Sequence, residues 1–122
     1  MEPQEDIWHL PVGCTHEVAA SAALLSFVGG AGDFDHQGQM RCPEDYGGQI
    51  KGAVENVGSA LTQESCSLAD IIRVKAFVQL SKEVGETAVI EMLSEALPDS
   101  PAPVISIVPV EMQPFPDQKV QI

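Results

Sequence analysis

Residues 68–80 read LADIIRVKAFVQL. Ile72, Val74, Ala76, Val78 and Leu80 alternate with Arg73, Lys75, Phe77 and Gln79, and a period of two is that of a strand with one face in a core. The second face is mixed, with two cations, an amide and one aromatic ring. Just ahead, Ser67-Leu68-Ala69-Asp70 has the spacing of a short capping box that opens a single turn.

Working back from this strand, Ile50, Ala53, Val54, Val57, Ala60 and Leu61 recur at helical spacing and make one apolar stripe. Pro43 suits a first-turn position, and Glu44 and Asp45 suit the positive end of the helix dipole. Gly47, Gly48, Gly52 and Gly58 weaken such a helix one by one, so close packing against a sheet is the expected reason for them. Ala19 to Gly32 is small and apolar and ends in Gly29-Gly30-Ala31-Gly32, which reads as a buried strand followed by a place of close backbone approach. Asp33 to Arg41 is polar and turn-like, and Trp8 to Val12 is a further short strand candidate.

Working forward, Val84, Ala88, Met92, Leu93 and Ala96 mark a second helix over Val84 to Leu97, which must stop by Pro98. Val104 to Met112 reads as a strand whose Pro109, lacking an N–H, belongs at an edge or a bulge. Pro114-Phe115-Pro116-Asp117 makes a turn, and Gln118 to Ile122 a last strand that pairs with it as a hairpin. The order predicts an α+β sandwich, a mixed β-sheet with two helices packed on one face. Its other face, with Phe77 on it, needs cover, so self-association is expected.

At 122 residues and 44% hydrophobic content the chain is one domain, 1–122, expected to fold throughout except over residues 1–7. Eighteen acidic residues against six basic ones give a formal charge of −12, which repels a phosphate backbone and disfavours nucleic acid as a partner. Arg73, Lys75 and Lys119 are the cations that fall in predicted strands. Cys14, Cys42 and Cys66 are an odd count with no C-x-x-C and no histidine pair at metal-ligand spacing, which points to a reduced, cytoplasmic chain without a metal. No basic, apolar leader opens the sequence and no apolar run is long enough for a membrane span.

Four segments together resemble the Rid family, also called YjgF or L-PSP endoribonuclease-like. They are Val28-Gly29-Gly30 at the end of its strand, where the family has a Ser-Gly-Gln-like triplet; QIKGAVENVGSAL at 49–61; LADIIRVKAFVQL at 68–80; and Pro101 to Ile122. The resemblance implies a chorismate-mutase-like fold, a homotrimer with the bare sheet faces at its centre, and a small-molecule ligand in clefts between subunits. It implies hydrolysis of an enamine or imine to a carbonyl and ammonia without a cofactor, and Gly29, Gly30 and Phe77 as parts of the cleft.

Three positions depart from the family's pattern. Pro103 stands where the family has its carboxylate-gripping arginine, Gln121 where it has a glutamate, and Thr15 where it has a tyrosine. A neutral amide orients water but does not take its proton at neutral pH. Activity on 2-imino acids therefore does not carry over directly. The alternatives are a non-catalytic metabolite-binding or regulatory trimer and, last, an L-PSP-type endoribonuclease or translation inhibitor. Arg73 is the candidate replacement cation, with His16 as acid or base and Glu111 as the carboxylate nearest Gln121 in the expected hairpin. Each has a plainer reading: Arg73 as a solvated or interfacial strand residue, His16 as a surface histidine, Glu111 as an exposed edge group. Cys14 reads as a small buried thiol, and His36 with Asp33 and Asp35 as turn chemistry.

Overall fold

The computed structural model describes residues 17–20, 25–99 and 101–122. Strand β3, Arg73–Val78, lies at the centre of a three-stranded mixed sheet. It runs parallel to β4, Val104–Pro109, in the register Arg73↔Val104 to Val78↔Pro109. On its other side β5, Val120–Gln121, is antiparallel, with Phe77 opposite Gln121 and Val78 opposite Val120. A second pair of strands, β1 (Glu17–Ala20) and β2 (Leu25–Val28), forms an antiparallel hairpin. Ala31, just past β2, exchanges two backbone hydrogen bonds of 2.8 Å with Ile122, which ties this segment to the β5 side of the sheet.

The alternation read from residues 68–80 is realised in β3. Val74, Ala76 and Val78 are buried, while Arg73, Lys75 and Phe77 point the other way and are exposed. Helix α1, Tyr46–Gln63, and helix α2, Glu86–Ala96, cover the buried side, and Ile50, Val54, Val89, Leu93 and Leu97 join the strand residues and Val120 in one core. Parallel strands need a crossover, and α2 supplies it between β3 and β4. The turn before β3 is Leu68–Asp70, capped as expected, with the Asp70 carboxylate accepting the Ser67 N–H at 2.8 Å.

Several expectations are corrected. The hairpin between the last two strands is absent, because β3 lies between β4 and β5. The segment from Val110 to Lys119 passes the end of β3, where the buried Gln113 amide donates to the carbonyls of Phe77 and Lys119. Pro109 ends β4 at the sheet's edge among the described residues, as its missing donor requires. Residues 19–32 are not one buried strand: β2 is four residues long and Phe27 is 57% exposed. Ile72 lies ahead of β3, clear of the helices, and is exposed.

Pro43 is not in the first turn. It forms a turn with Glu44, whose φ is +60°, and α1 starts at Tyr46 with Asp45 at its N-cap. Helix α2 starts after Gly85, and its wholly buried Val89 was not on the predicted stripe, while Val84, Ala88, Met92 and Ala96 are half-buried around it. The glycines of α1 also face something other than a sheet. A methyl group on Gly52 would fall on the Asp33 carboxylate, and one on Gly48 would come within 2.7 Å of Cys42 Sγ, so both admit the 33–42 loop. The strand proposed for Trp8 to Val12 lies outside the described residues.

Candidate functional site

Of the predicted site residues, Gly29, Gly30, Phe77 and Gln121 lie together at one end of the uncovered sheet face. Phe77, 37% exposed, sits opposite Gln121 on β5 and Val108 on β4. Gln121 in turn reaches Gly30, where a Cβ would meet its Nε2 at 3.5 Å. Gly30 has φ +73°, a left-handed conformation that favours glycine, and both Gly29 and Gly30 are exposed. Among the described residues the focus of Gly30, Gln121 and Phe77 is thus backbone, amide and ring, without an ionisable side chain.

Arg73 stands at the far end of the same face, four residues back along β3, roughly 13 Å away at the usual strand rise. Its ladder partner is Val104, and Pro103 precedes that residue. Continuing the alternation of β4 back by one puts position 103 on the side of Ile105, which packs on the core, and Arg73 on the opposite side. Pro103 itself lies one residue before the ladder begins. Glu111 is exposed in the bend after Val110, whose N–H bonds Val78 O, and β3 separates that bend from β5. Thr15, His16 and Cys14 lie outside the described residues.

Amide side chains that sequence reading passed over hold this end of the molecule together. The fully buried Gln49 donates from Nε2 to the carbonyls of Cys42 (3.0 Å) and Asp117 (2.9 Å), and its Oε1 accepts the N–H groups of Lys119 (2.6 Å) and Val120 (3.2 Å). It joins α1 to the start of β5 and so fixes where Gln121 stands. Asn56 donates to Gly32 O and Phe34 O, which anchors the chain just beyond Gly30 on α1. Both stand in the 49–61 segment that resembles the family's helix, but the likeness names no partner for either, because the partners are main-chain groups.

The polar loop 33–41 is built from its own acids. The carboxylate of Asp33, 2% exposed, takes Arg41 Nε at 3.0 Å and the Cys42 N–H at 2.7 Å. Asp35 Oδ1 accepts the backbone N–H groups of Gln39 and Gln37, both at 2.9 Å, and these bonds hold its carboxyl below the usual range. Partial burial, and then the nearby Asp33, push the Cys42 thiol up. Arg41 was not among the predicted cations of interest, yet it closes the loop and borders a cavity of about 550 Å³ together with Gly29, Gly30, His36 and Asn56.

Compared with known families, residues 9–122 fit the one described as Endoribonuclease L-PSP. The chain belongs to this family, the YjgF or Rid family. Solved structures show the same fold. A member of the YjgF/YER057c/UK114 family from Mycobacterium tuberculosis is 24% identical, covers 90% of this chain and 82% of its own, and has a TM-score of 0.70. RidA from Psychrobacter is 19% identical over 92% and 86%, with a TM-score of 0.73. Escherichia coli TdcF with bound serine is 21% identical over 92% and 85%, with a TM-score of 0.72. Among curated proteins none matches. No helix of the described residues is long and apolar enough to cross a membrane.

Proposed function

We propose that this single-domain Rid-family chain is a cytoplasmic homotrimer that takes a small metabolite in clefts between its subunits, as a binding module and not as a 2-imino acid hydrolase. The observation that carries the reading is the composition of the Gly30, Gln121 and Phe77 focus. Backbone, a neutral amide and a ring hold and orient a ligand, but they neither grip a carboxylate nor take a proton from water. Pro103 at the family's cation position agrees with this. Association is supported by the bare outer face of β3 and β4, where Val104 is 64% exposed at one end and Phe77 37% at the other.

A second reading, an enamine or imine deaminase, is favoured by one observation: Arg73 and Lys75 lie on that same face, and neither makes an ion pair among the described residues. In that case water adds to the carbon of the C=N bond, a proton passes to nitrogen, and the C–N bond breaks to leave a carbonyl and ammonia. Arg73 would act from a neighbouring subunit, since it faces away from position 103. RNA cleavage ranks last, because a charge of −12 repels the phosphates that such an enzyme must gather.

The test is ammonia release from freshly generated 2-iminobutanoate and 2-aminoacrylate, run beside Pro103→Arg, with light scattering for mass. A trimer of 13.0 kDa chains and no ammonia from the unmodified protein are expected. Ammonia from the unmodified protein overturns the binding reading in favour of the hydrolase and makes Arg73→Gln the next variant. A monomer overturns the shared cleft.

A further inference from the structure

Strands β3, β4 and β5 read RVKAFV, VISIVP and VQ, so together they hold Arg73, Lys75 and no acidic residue. The chain as a whole has eighteen acids to six bases. A face that only kept so acidic a chain soluble would carry acids, and this one carries exposed cations that make no ion pair among the described residues.

The ladder sets the side chains of this face in rows. Arg73 lies beside Val104, Lys75 beside Ser106, and Phe77 between Val108 and Gln121. All of them belong to the uncovered side, because the alternate residues Ile105 and Ile107 pack on the core. Ser106 is about 4.8 Å from Lys75 at the usual strand spacing, and Arg73 is about 7 Å back along β3, measured between backbones. A guanidinium, an ammonium and a hydroxyl therefore lie within one side chain's reach of one another, and all three can donate. A monocarboxylate leaves one of the two cations unmatched. A phosphoryl dianion matches both and brings three acceptor oxygens to the three donor groups. One row on, Phe77 and Val108 offer an apolar surface to whatever carries the phosphate.

We infer that the ligand of the cleft is a small phosphate monoester, with its phosphoryl group on Arg73, Lys75 and Ser106 and its apolar body on Phe77 and Val108. The assignment rests on the cleft reading for the place of the body and adds the charged end, which the Gly30, Gln121 and Phe77 focus lacks. A nucleic acid matches less well: its diesters carry one charge each, and its length meets the acidic remainder of the surface.

The test titrates the ¹⁵N-labelled full chain with phenyl phosphate, benzoate and benzyl alcohol at equal ionic strength, with light scattering on the same samples. Saturable amide shifts from Arg73 to Phe77 and at Ser106 are expected with phenyl phosphate, binding at least about fivefold weaker with benzoate, and no saturation with benzyl alcohol. Lys75→Gln should weaken phenyl phosphate at least about fivefold, the worth of one contact pair of unit charges in water. Arg73→Gln should do the same, which keeps the test if either change disturbs assembly. Lys51→Gln, at an exposed position of α1, should leave the affinity unchanged.

The site is overturned by benzoate or benzyl alcohol binding as tightly as phenyl phosphate, by no saturable shift with any of the three, by shifts no larger here than around Lys51 and Lys82, or by full affinity in both variants. A hexauridylate that displaces phenyl phosphate at lower concentration would give the face to RNA instead. Mass separates this idea from the cleft: a monomer that binds phenyl phosphate overturns the shared cleft and keeps the site, and a trimer that does not bind it overturns the site alone.

Discussion

Arg41 and Arg73 are the same residue type put to opposite uses. Arg41 lies in a loop and has its guanidinium matched within the subunit: Asp33, Glu55 and the Gly52 carbonyl all bond it. Arg73 and Lys75 lie on a strand face with no carboxylate opposite them, next to an exposed Phe77 and Val104. The first region is finished inside one chain, and substitutions there are felt as stability. The second is left open, and under the proposed trimer substitutions there should be felt as association.

The largest effect should come from the finished region. Gln49→Leu keeps the volume but leaves the Lys119 and Val120 N–H groups without their Oε1 acceptor and takes one of two donors from the Cys42 and Asp117 carbonyls, and should cost about 3 kcal/mol in urea unfolding. A loss under about 1 kcal/mol would mean that solvent or relaxation satisfies these groups, and the contrast would collapse. Gly52→Ala comes next, at about 2 kcal/mol, because the added methyl must displace the Asp33 carboxylate from its place.

On the open face the expected order reverses. Phe77→Asp should dissociate the assembly in light scattering while changing unfolding of the isolated chain by less than about 1 kcal/mol. Lys75→Glu should do the same more weakly, with a dependence on salt that the unmodified protein lacks. If either variant instead unfolds the chain, the face is part of the fold and not an interface.

The smallest effects are those of pH and reactivity. Asp35 has a lowered folded-state pKa, so its contribution is present above the ordinary aspartate range and is lost as pH falls through the folded value. Asp35→Asn should therefore lower stability slightly at neutral pH and flatten the acid limb of the stability curve below about pH 4, where the two proteins converge. Cys42, with its thiol pushed up by partial burial and then by Asp33, should be alkylated by iodoacetamide at pH 8 more slowly than a free thiol, and Asp33→Asn should speed it.

The sequence by itself determined the elements whose signals are short in range. The two-residue alternation of β3, the stripe of α1 and the Ser67–Asp70 cap each depend on residues a few positions apart, where backbone geometry alone decides which side chains share a face. It also determined the net charge. What only the tertiary structure decided is the order of the strands and the groups that lock the site end. That β3 comes between β4 and β5 depends on how the chain from Val110 to Lys119 travels past the strand, and Gln113 fixes that path through two main-chain carbonyls. Gln49 bonds residues up to 71 positions away, and Asn56, Gln113 and Gly52 likewise answer to backbone or to a single distant carboxylate. Main-chain partners are the same at every position, so a residue pattern can mark Gln49 and Asn56 without naming what they bond, and the pairing exists only once the chain has folded.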